Sequence, residues 1–148
     1  MLSFLKNNKL QRVSNAVAAG STDSNGSSVD MKDFESVTFV ASYGALTASA
    51  VTGLKAQQSS DDGVSDGWSD IEGTAQSIAD SLDNDCLALE VIRPTKRYVR
   101  PVVTRATANA VIDGVLAILS HPRKAPVTHD SATIAGTEVH VSPAEGTA

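Results

Sequence analysis

The sequence predicts an all-β fold, and three observations carry that expectation. Apolar residues alternate with period 2 in several short runs, and turn-forming clusters separate most of them. Outside one short stretch, no 3.6-residue apolar stripe is sustained. The expected architecture is a jelly-roll-like β-sandwich of about eight short strands, with an extended N-terminal arm. A chain of 148 residues fits one domain and buries a sizeable core without covalent staples. Aromatics make up only 4% of it, so Val, Ala, Leu and Ile must build that core.

Residues 1–12, with Lys6, Lys9 and Arg12, read as a basic arm that a partner would order. Residues 13–148 then form a single β domain. "RVSNAVAA" and "SSVDM" are strand candidates split by the turn-rich "GSTDSNGS". In "SVTFVASY", Val37, Phe39, Ala41 and Tyr43 share one face, which predicts a strand over 37–43. "TASAVTGLKAQQ" continues in small and β-branched residues. An acidic, Gly-rich excursion near residues 57–73 reads as a long surface loop, with a weak strand at 68–72. "GTAQSIADSLDND" could form a helical turn. "CLALEVI" places Leu87, Leu89 and Val91 on one side and predicts a strand over 87–92.

Two further strands are expected over 98–104 and 111–119, followed by a short strand-like "GTEVHV" in an irregular C-terminal segment. Alternation places Lys96, Tyr98, Arg100 and Val102 on one face, and Arg97, Val99, Pro101 and Val103 on the other. Pro101 has no amide to donate, so its strand should lie at a sheet edge or carry a bulge. The residues expected to be mostly buried are Val37, Phe39, Leu89, Val91, Ile112 and Leu116. Cys86 is the one cysteine, so no intramolecular disulfide forms, and its apolar run predicts a small buried hydrophobe.

Charge is segregated along the chain. "RPTKRYVRPVVTR", residues 93–105, carries five cations and no anion. The 37 residues at 56–92 hold nine carboxylates and no Lys or Arg. A net charge of -5 argues against attraction of the whole molecule to nucleic acid or anionic lipid. The alternation divides the cations between two faces, and Tyr98 alone is a thin stacking platform, so nucleic-acid binding is disfavoured. A surface that docks on acidic protein patches fits better, including the acidic segment of a neighbouring copy. Reversing Arg97 and Arg100 to Glu should then weaken docking and leave the monomer folded. Trp68 reads either as a loop anchor on the sheet edge or as an interface hot spot. The residues expected at a protein interface are Lys6, Lys9, Arg12, Trp68, Lys96, Arg97, Tyr98 and Arg100.

Catalytic and metal signatures are missing from the sequence. His121, His129 and His140 lack the paired spacing of a zinc site. Asp61, Asp62, Asp66 and Asp70 do not follow the calcium-loop pattern. No G-x-S-x-G, Walker loop or G-x-G-x-x-G occurs. The expectation is a protein that is not an enzyme and needs no metal or cofactor. Lys6, Asn7, Asn8 and Lys9 interrupt any signal-like apolar run, and no stretch approaches the 18 or so apolar residues of a membrane span.

From "NKLQRVSNAVAAG" through "MKDFESVTFVASYGAL", "TGLKAQQSSDD", "LEVIRPTKRYVRPVVTRATANAVIDGVLAIL" and "PVTHDSATIAGTEVHVSPAEGTA", the chain resembles small tailed-phage proteins that decorate or cement the capsid. "IRPTKRYVRPVVTRAT" is the most specific of these phrases. The resemblance implies a jelly-roll cement protein, made in the host cytoplasm and placed on the capsid surface of the virion. Its implied partners are the major capsid protein and further copies of itself, most simply as a homodimer. A head-completion or tail component, or a nucleic-acid-binding β module, is the alternative.

Overall fold

The computed structural model describes residues 3–142 and 144–147. One helical turn, α1 (Phe4–Asn7), precedes the strands. β1 (Lys9–Ser14), β2 (Val17–Gly20), β3 (Ser24–Asn25) and β4 (Val29–Asp30) are short. β5 (Phe34–Leu46) and β6 (Val51–Ser59) are long, and β7 (Ser69–Asp70) and β8 (Gln76–Ile78) are fragments. β9 (Cys86–Ile92), β10 (Tyr98–Ala106) and β11 (Ala110–Pro122) complete the described strands. The four strands expected at 37–43, 87–92, 98–104 and 111–119 thus lie within β5, β9, β10 and β11. "GTEVHV" forms no strand, and the expected helical turn at "GTAQSIADSLDND" contains β8.

Two antiparallel sheets pack against each other. One has the order β1-β11-β5-β9, with β2 also on β11. The other has the order β3-β10-β6-β7, with β4 on β10 and β8 on β6. The fragments share positions: β2 extends the place of β1, β4 that of β3, and β8 that of β7. Eight positions remain, ordered first-eighth-third-sixth in one sheet and second-seventh-fourth-fifth in the other. That is the double Greek key of a jelly roll.

Alternation decides which side of each strand is buried. Val37, Phe39, Ala41 and Tyr43 all face the core, as do Leu89 and Val91. They meet Leu54 and Ala56 of β6 and Val99 and Val103 of β10 across the sandwich. The Tyr43 hydroxyl spans the two sheets and donates to the carbonyl of Gly53 at 3.1 Å. Burial raises its phenol pKa above the ordinary tyrosine value.

Leu116 corrects the expected core. Ile112 is buried as anticipated, but Leu116 is only half-buried, on the outer side of β11. The β5–β11 register shifts between Ile112 and Gly114, so β11 carries a bulge there. Gly114 sits at φ 145, a conformation that side-chain-bearing residues rarely adopt. The extra residue moves every later side chain to the opposite face. Beyond it Val115, Ala117 and Leu119 are buried, and Leu116 and Ile118 look outward. Cys86 is likewise exposed, on the outer side of β9.

Pro101 is neither on an edge nor at a bulge. β10 pairs with β6 in unbroken register and with β3 and β4 on its other side. Ala56, opposite Pro101, aims its amide at Thr74 and its carbonyl at the Ile71 amide. The missing proline N–H therefore points the other way, into the gap between β3 and β4. There the Pro101 carbonyl accepts the Gly26 amide at 2.9 Å. A broken neighbour accommodates the proline as an edge would.

Part of the expected N-terminal arm is built into the sandwich. β1 pairs with β11 from Lys9↔Leu119 onward, and Val13 is a core residue. Met1 and Leu2 lie outside the described residues. The outer edge of β1 is covered by the segment at 127–134. His129 Nδ1 accepts the Leu10 amide at 3.0 Å, and Thr133 Oγ1 accepts the Arg12 amide at 3.0 Å. His129 Nε2 bonds the Leu5 carbonyl at 2.9 Å, and the Val127 amide bonds that of Lys6.

Candidate protein interface

The acidic segment and the basic run meet within one chain. Strand direction explains this, because β6 ends and β10 begins at the same end of the sandwich, where Tyr98 pairs with Ser59. The loop leaving β6 therefore lies over the start of β10.

That loop is held by its own carboxylates. Asp61 accepts the amides of Val64, Ser65 and Asp66 at 2.8–3.2 Å, which lowers its pKa below the usual aspartate value. Ser59 Oγ accepts the Gly63 amide at 2.8 Å. Gly63 adopts φ 80, and a Cβ there would overlap the Trp68 indole nitrogen. Asp66 is bonded by the Ser60 amide and hydroxyl, and Lys96 Nζ bonds both of its oxygens, at 2.9 and 2.7 Å. The result is an ordered loop that presents Val64 at its tip, 84% exposed.

The other cations of the run are engaged as well. Arg97 forms a two-pronged pair with Asp30, at 2.8 and 2.6 Å, which lowers the pKa of Asp30 and raises its own. Its guanidinium also lies 5.0 Å from the Tyr98 ring centre. Arg100 donates twice to Gln57 Oε1 and stacks 4.5 Å from the Trp68 ring centre. Gln57 in turn donates to Asp70, which also accepts Lys55 Nζ at 2.8 Å. Arg93 reaches Glu35 at 3.6 Å. Trp68 is thus a half-buried anchor for the loop.

These contacts change what one substitution would report. Arg97 and Arg100 are held within their own chain, so reversing both to Glu would set carboxylates against Asp30 and strip the cation from Trp68. The loop would be disturbed along with any docking surface.

Among the described residues, Lys6, Lys9, Lys32, Arg123 and Lys124 have no carboxylate within salt-bridge distance. Four of them gather around Phe34 at this same end. Lys9, Arg123 and Lys124 line a groove of about 370 Å³ with Phe34 and Asp33. Lys32 and Arg123 line an adjoining one of about 540 Å³ that runs to Lys96 and Arg97. Lys32, Arg123 and Lys124 were not legible as site residues, because they lie in separate turns far from the basic run. Arg12 belongs elsewhere: it lies on the outer side of β1 and reaches the carbonyls of Ser14 and Asp113.

The arrangement can hold an acidic or polar protein surface, with fixed ion pairs as a rim and free cations beside an aromatic ring. Comparison of the sequence with protein-family models and with curated proteins finds no match.

Acid should release the loop before it unfolds the sandwich. Asp66 is held at about 2, below the ordinary 3.8, first by Lys96 and then by Ser60. A depressed folded-state value means its contribution is complete above about 3.8 and is lost as pH falls toward about 2. Trp68 fluorescence should change across that window, and Asp66→Asn should remove most of the change. A signal flat to pH 2 in the wild type would contradict the pairing.

Proposed function

We propose that this chain is a structural virion protein that binds and stabilises the assembled capsid shell of a tailed phage, with the major capsid protein and further copies of itself as partners. The observation that carries this reading is a group of cations without a carboxylate partner among the described residues, beside a loop that its own hydrogen bonds hold in place. Lys9, Lys32, Arg123 and Lys124 surround Phe34 beside a loop locked by Asp61, Asp66 and Lys96. A loop held in advance loses less conformational entropy on docking. On a shell, many modest contacts add through repetition. The jelly roll supplies a stiff base, and the role requires no cofactor. The resemblance of the sequence to capsid cement proteins supports the same reading.

A nucleic-acid role is less well supported. Both aromatic rings near the basic run have a face covered by a cation of the same chain, Tyr98 by Arg97 and Trp68 by Arg100. Base stacking would have to displace them. A head-completion or tail role would use the same surface on a different virion partner.

The test is co-sedimentation with intact capsids. The Arg123→Glu, Lys124→Glu variant should lose about tenfold or more in affinity at low salt, with an unchanged melting temperature. Wild-type binding should also weaken as salt screens exposed charges. Undiminished capsid binding by the variant would remove this surface from the reading. Tight, steeply salt-dependent binding of single-stranded DNA without capsid binding would favour the nucleic-acid alternative.

A further inference from the structure

Four sheet edges border the sandwich, and three are protected. β1 is covered by the segment at 127–134 through His129 and Thr133. The opposite sheet ends in β3 and β4 on one side and in β7 and β8 on the other, pieces of two or three residues. The fourth edge is β9, seven residues long, with Glu90 as its only charge. Long, apolar open edges pair with other strands unless something blocks them.

The peptide groups of β9 divide cleanly. Tyr43 bonds the Asp85 carbonyl and Arg93 bonds the Glu35 carbonyl, in the same register that pairs Phe39 with Leu89. Residues 85, 87, 89, 91 and 93 therefore point their backbone groups at β5. Cys86, Ala88, Glu90 and Ile92 point theirs outward. Only the Ala88 carbonyl has a partner on that side among the described residues, Gln76 Nε2 at 2.8 Å. Ile92 is 66% exposed.

We propose that β9 pairs antiparallel with β9 of a second copy, about a two-fold axis at Leu89, so that one sheet runs through both molecules. A second copy of β9 is self-complementary along the whole strand, and charge and length select the register. An axis at Glu90 would set two carboxylates directly opposite each other. An axis at Ala88 would leave Ile92 facing Asn84, which has φ 64 and lies outside the strand. An axis at Leu89 pairs all seven residues, with Glu90 opposite Ala88 and Cys86 opposite Ile92. The Glu90 amide of the second copy then replaces Gln76 at the Ala88 carbonyl. This deepens the self-association in the reading above and rests on that reading for its role on a shell, not for the pairing itself.

The experiment uses the full chain and its single native thiol. Facing residues of a hydrogen-bonded antiparallel pair have Cα atoms about 5.5 Å apart, within disulfide range. Under mild oxidation, Ile92→Cys should convert almost wholly to a covalent dimer. Peptide mapping should find Cys86 joined to the new thiol at position 92 of the other copy. Glu90→Cys, whose thiol would face Ala88, should give no such mixed disulfide. Glu90→Pro removes an outward amide without touching the β5 ladder, so it should keep a cooperative unfolding transition, lose the concentration dependence of its melting temperature and sediment as a monomer. Wild type sedimenting as a monomer at high micromolar concentration overturns the proposal. So does a wild-type dimer in which Ile92→Cys stays reduced. Capsid co-sedimentation is scored separately: binding retained by a protein that fails these tests rejects the edge and leaves the shell reading standing. Dimerisation through β9 without capsid binding does the reverse.

Discussion

Phe39→Ala is expected to destabilise the fold by about 3–5 kcal/mol. Phe39 is fully buried at the centre of β5, between Ala117 of β11 and Leu89 of β9. The chain has only three phenylalanines, and Val, Ala and Leu surround this one. Val side chains are stiff at χ1, and the strands beneath them are held by ladders on both sides, so the space left behind cannot close. Leu89→Ala lies nearer the rim, 8% exposed, and should fall lower, at about 2–3 kcal/mol. Urea unfolding reads both, with the slope unchanged if only stability is altered. Unchanged midpoints for the pair would mean that these residues do not fill the core.

Arg105→Ala should cost about 2–4 kcal/mol, more than a surface arginine could. Arg105 is 7% exposed, and among the described residues its guanidinium bonds no carboxylate. It donates to the carbonyls of Thr22 at 2.7 Å, Ala18 at 3.0 Å and Ala110 at 2.9 Å. Asp23 accepts the Arg105 amide at 3.0 Å. The side chain therefore ties β2 and the turn after it to the start of β11. Removal leaves the Ala110 carbonyl in the interior without that partner. Arg105→Lys should recover less than half of the loss, because an ammonium cannot serve three divergent carbonyls from one position. Hydrogen exchange should locate the damage, with faster exchange at residues 17–23. A melting temperature within about 2 °C of wild type would remove the structural role, since a kcal/mol shifts a domain of this size by about 2–4 °C.

The strands were legible because burial alternates with the same period as the side chains. Val37 to Tyr43 and Leu87 to Val91 could be assigned to faces from spacing alone. The rule failed at Leu116 because it counts residues and cannot count a bulge; Gly114 was the one local sign. Arg105 read as one more cation of the basic run, although three carbonyls brought in from distant turns surround it. The ion pairs were legible only as opposite charges in one chain. Their partners depend on which loops share an end of the sandwich, and neither Asp30 nor Asp66 has a sequence neighbour that marks it. Lys32, Arg123 and Lys124 come together for the same reason. A fold dominated by pairings between distant residues hides such sites from local inspection.

The place of β11 has a consequence for how the molecule comes into being. β11 is the last of the described strands to be synthesised, yet it lies between β1 and β5 and supplies the partner for both. While a ribosome is still translating residues 110–122, β1 has no neighbour and β5 has β9 alone. The first sheet cannot close on a nascent chain, and its apolar side stays uncovered until β11 emerges. Loop closure over nearly the whole domain must precede the pairing of Lys9 with Leu119, a long-range step that belongs to the slow, millisecond-to-second class of β folding. A chain truncated before Ala110 should accordingly collect as aggregate and not as a partly folded monomer.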